Sequence, residues 1–161
     1  MPLTKLNSAS VIERLPTGSV LQTVVSKFQS IKSIESSSMV TTGHTLLITP
    51  LSASNKILLT LTGGHVWNGN NNNKVRVFTI YRGSTDLGNS NVGLETKYCN
   101  AYSAQPHSIT VIDSDYNTTN EITYTVYGRG QDSSTGYYAA GSTGSGGDPT
   151  PVYLTAMEIK G

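Results

Sequence analysis

The sequence predicts an all-β protein: an antiparallel, jelly-roll-like β-sandwich of about eight strands, preceded by a short N-terminal arm. Two observations of composition and pattern predict this fold class. Serine and threonine account for 41 of the 161 residues and only 13% of residues are charged, a composition that favours strands and turns over helices. The apolar runs are short, and glycine, proline and asparagine separate them. The length suits one domain with a sizeable core.

The first segment, residues 1–17, is polar and differs in pattern from the strand-rich remainder. We interpret it as an extended arm that docks on a neighbouring molecule, with Val11, Ile12 and Leu15 as its apolar anchor for assembly. Alternatively, the same three residues form the apolar face of a short helix. The β-sandwich domain is then expected to span residues 18–161.

Residues 46–61 hold two short apolar runs around a polar turn that contains Pro50. We predict a hairpin here, around which the rest of the chain is organised. Its second strand places Ile57, Leu59 and Leu61 on one face, because side chains alternate along a strand. A hairpin cannot bury such a face alone, so the remaining strands are expected to cover it.

The other predicted strands are runs rich in β-branched and aromatic residues. They cover residues 19–28, 30–35, 75–82, 107–113, 121–127 and 152–160. The run at 75–82 has apolar residues on both faces, which suits a strand inside a sandwich or at a subunit contact. Residues 128–148 are rich in glycine, serine and tyrosine, and we interpret them as one long loop that is functional or flexible.

The charge pattern and the cysteine content exclude several classes of function. The formal net charge is +1 without a basic block, so nothing builds the positive field that nucleic acid binding requires. The apolar runs are too short to insert into a membrane. The N-terminus has no hydrophobic signal region, so we expect synthesis in a host cytoplasm without the usual export. Cys99 is the single cysteine, which excludes an intrachain disulfide.

Candidate catalytic and metal-binding residues form no recognisable constellation. His44, His65 and His107 lie in separate segments without a metal-binding spacing, so we expect exposed or hydrogen-bonded histidines. Residues 113–120 begin like a calcium loop, but Thr118 stands where an EF-hand has glycine, and we favour a turn. The sequence has no G-x-S-x-G motif, and nothing selects a pair of carboxylates. We therefore expect no enzymatic activity, no cofactor and no metal.

Aromatic side chains in segments of small polar residues are the candidates for ligand or host recognition. Tyr137 and Tyr138 lie in the long loop, and Trp67 precedes the asparagine tract that contains Asn70. Tyrosine offers a flat apolar face and a hydroxyl group at low entropic cost. The alternatives are a tyrosine loop that is disordered or packed at an interface, and a Trp67 that belongs to the core.

Several short motifs resemble, in their order and spacing, a β-rich domain family that is frequent in tailed-phage virion proteins and often labelled tail-fibre or structural. The motifs are residues 18–24 (GSVLQTV), 48–50 (ITP), 55–59 (NKILL), 81–88 (YRGSTDLG), 112–114 (IDS), 118–119 (TT), 124–126 (YTV) and 155–159 (TAMEI). The resemblance covers about residues 18–161, and the asparagine tract and residues 128–148 depart from it.

This resemblance implies a non-enzymatic virion protein, commonly a homotrimer, displayed on the particle surface at a fibre tip or on the capsid. The two apolar faces of the run at 75–81 agree with a homotrimer. The expected partners are further copies of the chain, other virion proteins of the capsid or tail, and a host surface glycan. The chain has no fibrous shaft before the domain, which favours an alternative: a capsid decoration or cement protein that stabilises the shell through its N-terminal arm.

Overall fold

The computed structural model describes residues 8–68, 74–99, 105–139 and 148–161. This part of the chain contains one short helix, α1 (Ser8–Arg14), and eleven strands. The strands are β1 (Val20–Phe28), β2 (Lys32–Ile34), β3 (Val40–Ile48), β4 (Lys56–Asn68), β5 (Lys74–Arg82), β6 (Thr85–Asp86), β7 (Glu95–Cys99), β8 (Gln105–Asp113), β9 (Ile122–Gly130), β10 (Gly136–Tyr138) and β11 (Val152–Ile159).

The strands form two antiparallel sheets that pack face to face. In the first sheet the neighbours run β1, β11, β4, β8, and the far end of β4 also pairs with β10, which pairs with β2. In the second sheet β3 pairs with β9 and β9 with β5, while β6 and β7 share the other edge of β5.

The strand order is that of a jelly roll. Eight of the described strands have five or more residues. Numbered one to eight along the chain, they have the order one, eight, three, six in the first sheet and two, seven, four, five in the second. This is the double-sheet arrangement of two Greek keys. The prediction of an antiparallel sandwich with about eight strands is confirmed.

The core lies between the sheets and follows the period of two along each strand. Ile57, Leu59 and Leu61 of β4 are 0% exposed, as predicted. Ile80 of β5 and Val126 of β9, on the second sheet, belong to the same core cluster. Both sheets therefore bury one face against each other, which a hairpin alone cannot do.

The predicted hairpin at residues 46–61 is wrong. Its two strands exist, but β3 belongs to the second sheet, where it pairs with β9, and β4 belongs to the first, where it pairs with β8 and β11. Residues 49–55 cross from one sheet to the other. The apolar pattern is the same in both cases, because two strands that face one core from opposite sides alternate just as hairpin strands do.

β4 is longer than the predicted run that ends at Leu61, and the predicted long loop is partly strand. β4 continues past Gly63 and Gly64 through Trp67, with a register irregularity at the glycines. A Cβ atom at Gly64 would lie 2.2 Å from the Val152 side chain, so only glycine fits this close approach. The segment predicted as one long loop, residues 128–148, begins with the end of β9 and contains β10.

The apolar residues on the outer side of β5 are covered by the chain itself. Val77 is 2% and Thr79 0% exposed. The segment 87–94 folds over them and is fixed by backbone hydrogen bonds from Leu87 to Ile80 (3.0 Å) and from Leu94 to Phe78 (2.9 Å). The two-faced pattern at 75–82 thus has an intramolecular cause. The homotrimer then rests on the resemblance alone and stays a prediction.

The helix α1 is attached to the last strand through Lys160. The Lys160 ammonium donates to the carbonyl oxygens of Ile12 (3.1 Å), Glu13 (2.8 Å) and Leu15 (2.6 Å), which lie at the C-terminal end of the helix. Ile12 and Leu15 are partly buried, whereas Val11 is exposed. Residues 1–7 lie outside the described part, and the arm and its boundary at residue 17 stay predictions. No described helix is long and apolar enough to cross a membrane.

Candidate functional site

Glu158 is fully buried on the inner side of β11 and accepts four hydrogen bonds. One carboxylate oxygen accepts the backbone N–H groups of Leu51 (2.8 Å) and Ser52 (3.3 Å) and the side-chain amide of Asn55 (2.6 Å). The other accepts the amide of Gln22 at 2.6 Å. Gln22, Asn55 and Glu158 lie in three of the short motifs. These motifs therefore meet at one carboxylate, which fixes the crossing between the sheets.

A second buried network joins three further motifs. The Asp113 carboxylate accepts a hydrogen bond from the Arg82 guanidinium at 2.5 Å and another from the Tyr124 hydroxyl at 2.7 Å. Burial and the hydrogen bond to Asp113 raise the pKa of Tyr124, which stays a neutral donor. Asp86 accepts the Thr79 hydroxyl at 2.5 Å and a backbone N–H group. The motif residues of this region hold the fold together.

Side chains of the segment at 113–120 form hydrogen bonds with its own backbone. Asp113 accepts the backbone N–H of Asp115 at 3.3 Å, in addition to its bonds to Arg82 and Tyr124. The amide of Asn117 donates to the Asp115 carbonyl. In the described ranges, no three His, Cys, Asp or Glu side chains lie close enough together to hold a metal ion.

Two histidines form a polar layer in the middle of the core. His44 Nε2 lies 3.1 Å from the Ser26 carbonyl, which only accepts, so this nitrogen carries the proton. His44 Nδ1 then accepts the Tyr138 hydroxyl at 2.7 Å. His107 Nδ1 donates to Glu95 at 2.7 Å. His107 Nε2 is buried without a hydrogen-bond partner among the described residues.

The layer joins the two sheets and keeps both imidazoles neutral. Burial lowers the pKa of His44 and that of His107, and the Glu95 carboxylate offsets this only in part for His107. Burial alone would raise the pKa of Glu95, but hydrogen bonds from His107, Ser108 and Lys97 outweigh it, so the pKa is lowered.

Tyr138 belongs to this layer and not to a recognition surface. It is 0% exposed, and its ring packs against Phe28, Phe78 and His107. The prediction that Tyr138 contacts a ligand is therefore wrong. Side chains alternate along β10, so of two adjacent tyrosines one faces the core and the other faces out. The outward one is Tyr137.

Trp67 and Tyr137 form a stacked aromatic pair on the outer side of the first sheet. They are directly opposite each other on β4 and β10, with ring centroids 5.5 Å apart and planes at 22°. Both side chains are partly buried and partly exposed. Offset stacking of this kind adds to the stability of a cross-strand pair. The structure thus brings together two candidates that lie in different segments of the sequence. Asn70 lies outside the described residues.

A buried arginine lies directly beneath the aromatic pair. Arg76 is 1% exposed and donates to the Asn68 side chain at 2.5 Å and to the Ser134 carbonyl at 2.9 Å. Asn68 adjoins Trp67, and Ser134 lies just before β10. Burial lowers the pKa of Arg76, whereas Cys99 and Asp132 act in the opposite direction. Arg76 therefore positions both strands that carry the pair.

Sequence reasoning missed the buried charged and imidazole side chains. The signal was present in the alternation. Arg76 is in phase with Phe78 and Ile80, and Glu158 is in phase with Leu154 and Ala156. A polar residue in phase with a buried apolar row points into the core. His44 and His107 follow the same rule on β3 and β8.

The predicted assembly anchor borders a cleft of about 450 Å³ at the other end of the sandwich. Ile12, Leu21 and Leu51 supply apolar walls, and Asn55 and Lys160 supply polar ones. The Lys160 ammonium is already committed to the carbonyls at the end of α1. The cleft therefore offers mainly apolar surface.

Comparison with known proteins found no matching family model and no matching curated protein. Among solved structures, the chain is similar to the protein of T=1 particles derived from infectious bursal virus, with 12% identity and a TM-score of 0.44. It is also similar to a mutant VP2 protein of infectious bursal disease virus in derived T=1 particles, with 14% identity and a TM-score of 0.38. The matches cover 100% and 98% of this chain, but it spans only about two fifths of each matched chain, 41% and 40%. Similarity at this level assigns no function.

Proposed function

We propose that this chain is a non-enzymatic structural module of a tailed-phage particle, displayed on the particle surface, which uses the aromatic pair to recognise a host surface glycan. The family resemblance supports the virion role. The jelly roll agrees with it, since the fold is used by viral capsid and lectin domains. A shared fold is an analogy, so the recognition role is argued from the site.

The observation that carries the recognition role is the aromatic pair itself. Trp67 and Tyr137 are partly exposed on one surface, and a buried guanidinium fixes the strands that bear them. Apolar faces of sugar rings stack on such side chains, while hydroxyl groups need nearby polar partners. The side chain of Ser33, opposite Tyr137 on β2, is exposed and offers a hydroxyl group on the same side of the sheet.

Binding to host cells and to purified host polysaccharide tests this role. We expect Tyr137→Ala to weaken binding at least about tenfold, because truncating a central aromatic contact removes most of its binding energy. The matched control is Tyr98→Ala, which removes a tyrosine that is 60% exposed on β7. Trp67 is the single tryptophan, so its fluorescence should change on titration with the polysaccharide. Equal binding by wild type and Tyr137→Ala would remove the recognition role.

A capsid decoration or cement protein is the second candidate. The attachment of α1 to Lys160 favours it, because it leaves Val11 exposed beside an apolar cleft. Immunogold electron microscopy of intact particles separates the two candidates. Label over the shell, lost on deletion of residues 2–15, supports the cement protein. Label confined to the tail supports the attachment module, and particles without label would contradict both.

A further inference from the structure

The outer side of the first sheet carries a broad surface that none of the described helices and strands covers. We call the outward side chains of β1, β11, β8 and the part of β4 before Gly63 the outer face. Pairing places residues 23–27, 153–157, 58–62 and 108–112 side by side, so that three rows of four side chains point outward. One row runs Val25, Thr155, Thr60, Thr110.

An apolar band crosses the outer face from β1 to β8. Met157 and Leu58 are paired neighbours, and Ile112 is paired with Leu58. Ile159 and Val20 continue the band on β11 and β1. Nine large apolar side chains are exposed in the described part of the chain, and four of them lie on this face. They are Val20 (54%), Val25 (56%), Ile112 (56%) and Tyr153 (39%). An apolar band on an exposed sheet face points to an interaction surface.

The charges of the outer face limit what can cover it. Its three rows contain five threonines, one serine and five apolar residues, and Lys27 at a corner is the single charge. Lys56 is paired with Ile159, in the outermost row of the face. The face has no carboxylate to pair with a basic partner, and its two lysines are at the rim. A partner that covers its centre must therefore be flat, uncharged and rich in hydroxyl and apolar groups.

We propose that the outer face binds the outer face of a second copy of this chain. A second outer face has every property that the partner needs. Two sheets pack face to face about 10 Å apart, the same geometry that the sandwich uses inside. Contact between identical faces is isologous and closes as a dimer.

The size of the outer face agrees with a dimer contact. With the row of Val20 and Ile159 included, four strands about 4.8 Å apart and seven residues at a rise of about 3.4 Å give roughly 450 Å² of flat area per copy. Accessible area exceeds flat area, so two copies bury on the order of 1,200 Å², the lower end of specific interfaces. The aromatic pair lies beyond Gly63 and Gly64, outside the three rows, so this dimer leaves it accessible. The proposal is independent of the recognition role.

Sedimentation equilibrium of the full chain tests the proposal. We expect a mass of twice 17.1 kDa at micromolar concentration. Thr60→Arg places a guanidinium at the centre of the contact, in the middle row, and should weaken the dimer by at least about a hundredfold, since a buried unpaired charge is costly. Ile112→Glu, which places a carboxylate in the apolar band on the edge strand β8, should weaken it as well. The matched control is Leu47→Glu, because Leu47 is 49% exposed on the second sheet.

Three outcomes would overturn the proposal. They are a wild-type mass of one chain, a wild-type mass of three chains, and a dimer that persists in both Ile112→Glu and Thr60→Arg. Circular dichroism of each variant shows whether it is folded. Because Ile112 is more than half exposed, its replacement is expected to leave the fold intact. If Ile112→Glu is unfolded, Thr60→Arg decides the question.

Discussion

At the scale of single residues, the buried polar side chains of this protein connect distant segments of the chain through hydrogen bonds. Glu158 is the clearest case, because its carboxylate accepts hydrogen bonds from β1 and from the crossing at residues 49–55. A charge inside a core is tolerated when its hydrogen bonds are complete. The short motifs of the sequence therefore mark positions where the fold needs a particular polar group.

We expect Glu158→Gln to lower the free energy of unfolding by about 3 kcal/mol, because the amide turns an acceptor into a donor that faces other donors. Urea unfolding followed by circular dichroism measures this loss. Glu121→Gln is the matched control, since Glu121 is exposed at the start of the segment that leads into β9, and it should stay within about 0.5 kcal/mol of wild type. Equal stability of Glu158→Gln and wild type would show that the network contributes little.

At the scale of elements, β10 shows how a strand of three residues is held in place. It pairs with β4 on one side and β2 on the other. Beneath it, the Arg76 guanidinium fits against the backbone of Gly130 and Gly136, where a Cβ atom would lie 2.3 Å from guanidinium nitrogens. The glycines are needed for this close approach and not for their backbone angles.

Gly136→Ala should therefore displace β10 and disturb the aromatic pair. We expect a loss of about 2 kcal/mol in unfolding free energy, because the guanidinium would have to give up hydrogen bonds to Asn68 and Ser134 to move aside. The fluorescence of the single tryptophan, Trp67, should change as Tyr137 shifts. Gly83→Ala is the control: Gly83 has a φ of 55° but open space around it, so only backbone strain of about 1 kcal/mol is expected, without a fluorescence change. The reverse pattern of fluorescence would refute this role of Arg76.

At the scale of the whole molecule, the histidine layer makes the sandwich sensitive to acid. His44 and His107 connect strands of both sheets, and burial lowers the pKa of each below the ordinary value of 6.5. The groups that face them are Glu95, Lys97 and Tyr138. Below pH 6.5 the two histidines bind protons more readily in the unfolded chain than in the folded core, so acid favours unfolding.

We expect the free energy of unfolding to be steady above about pH 6.5 and to fall below it, by up to about 1.4 kcal/mol per pH unit for each histidine. Because the pKa of Glu95 is lowered, its contribution is present above the ordinary value of 4.5 and is lost in stronger acid. Urea unfolding at pH 7.5, 6.5 and 5.5 measures the first decline.

The double variant His44→Gln with His107→Gln should flatten that decline, even though it lowers stability overall. His65→Gln should keep it, since His65 is partly exposed and outside the layer. A wild-type stability that is the same at pH 7.5 and pH 5.5 would contradict the role of the two histidines.

The sequence by itself determined the fold class, most strands and the faces that they bury. Alternation along β4 identified Ile57, Leu59 and Leu61 as core, because the period of two is a local property of an extended chain. The sequence also identified Trp67 and Tyr137 as candidates for ligand recognition, from their residue types. Alternation also predicts that Tyr138 points away from Tyr137, toward the core. This prediction can be made only when residues 136–138 are known to form a strand.

The tertiary structure alone decided which strands pair and which side chains meet. β3 and β4 are consecutive and similar in pattern, yet they lie in different sheets, because strand pairing is set by contacts between distant segments. The same holds for the four donors around Glu158, the histidine layer and the stacking of Trp67 on Tyr137. A pattern along the chain gives the direction in which a side chain points, but its partner is fixed only when both sheets close over one core.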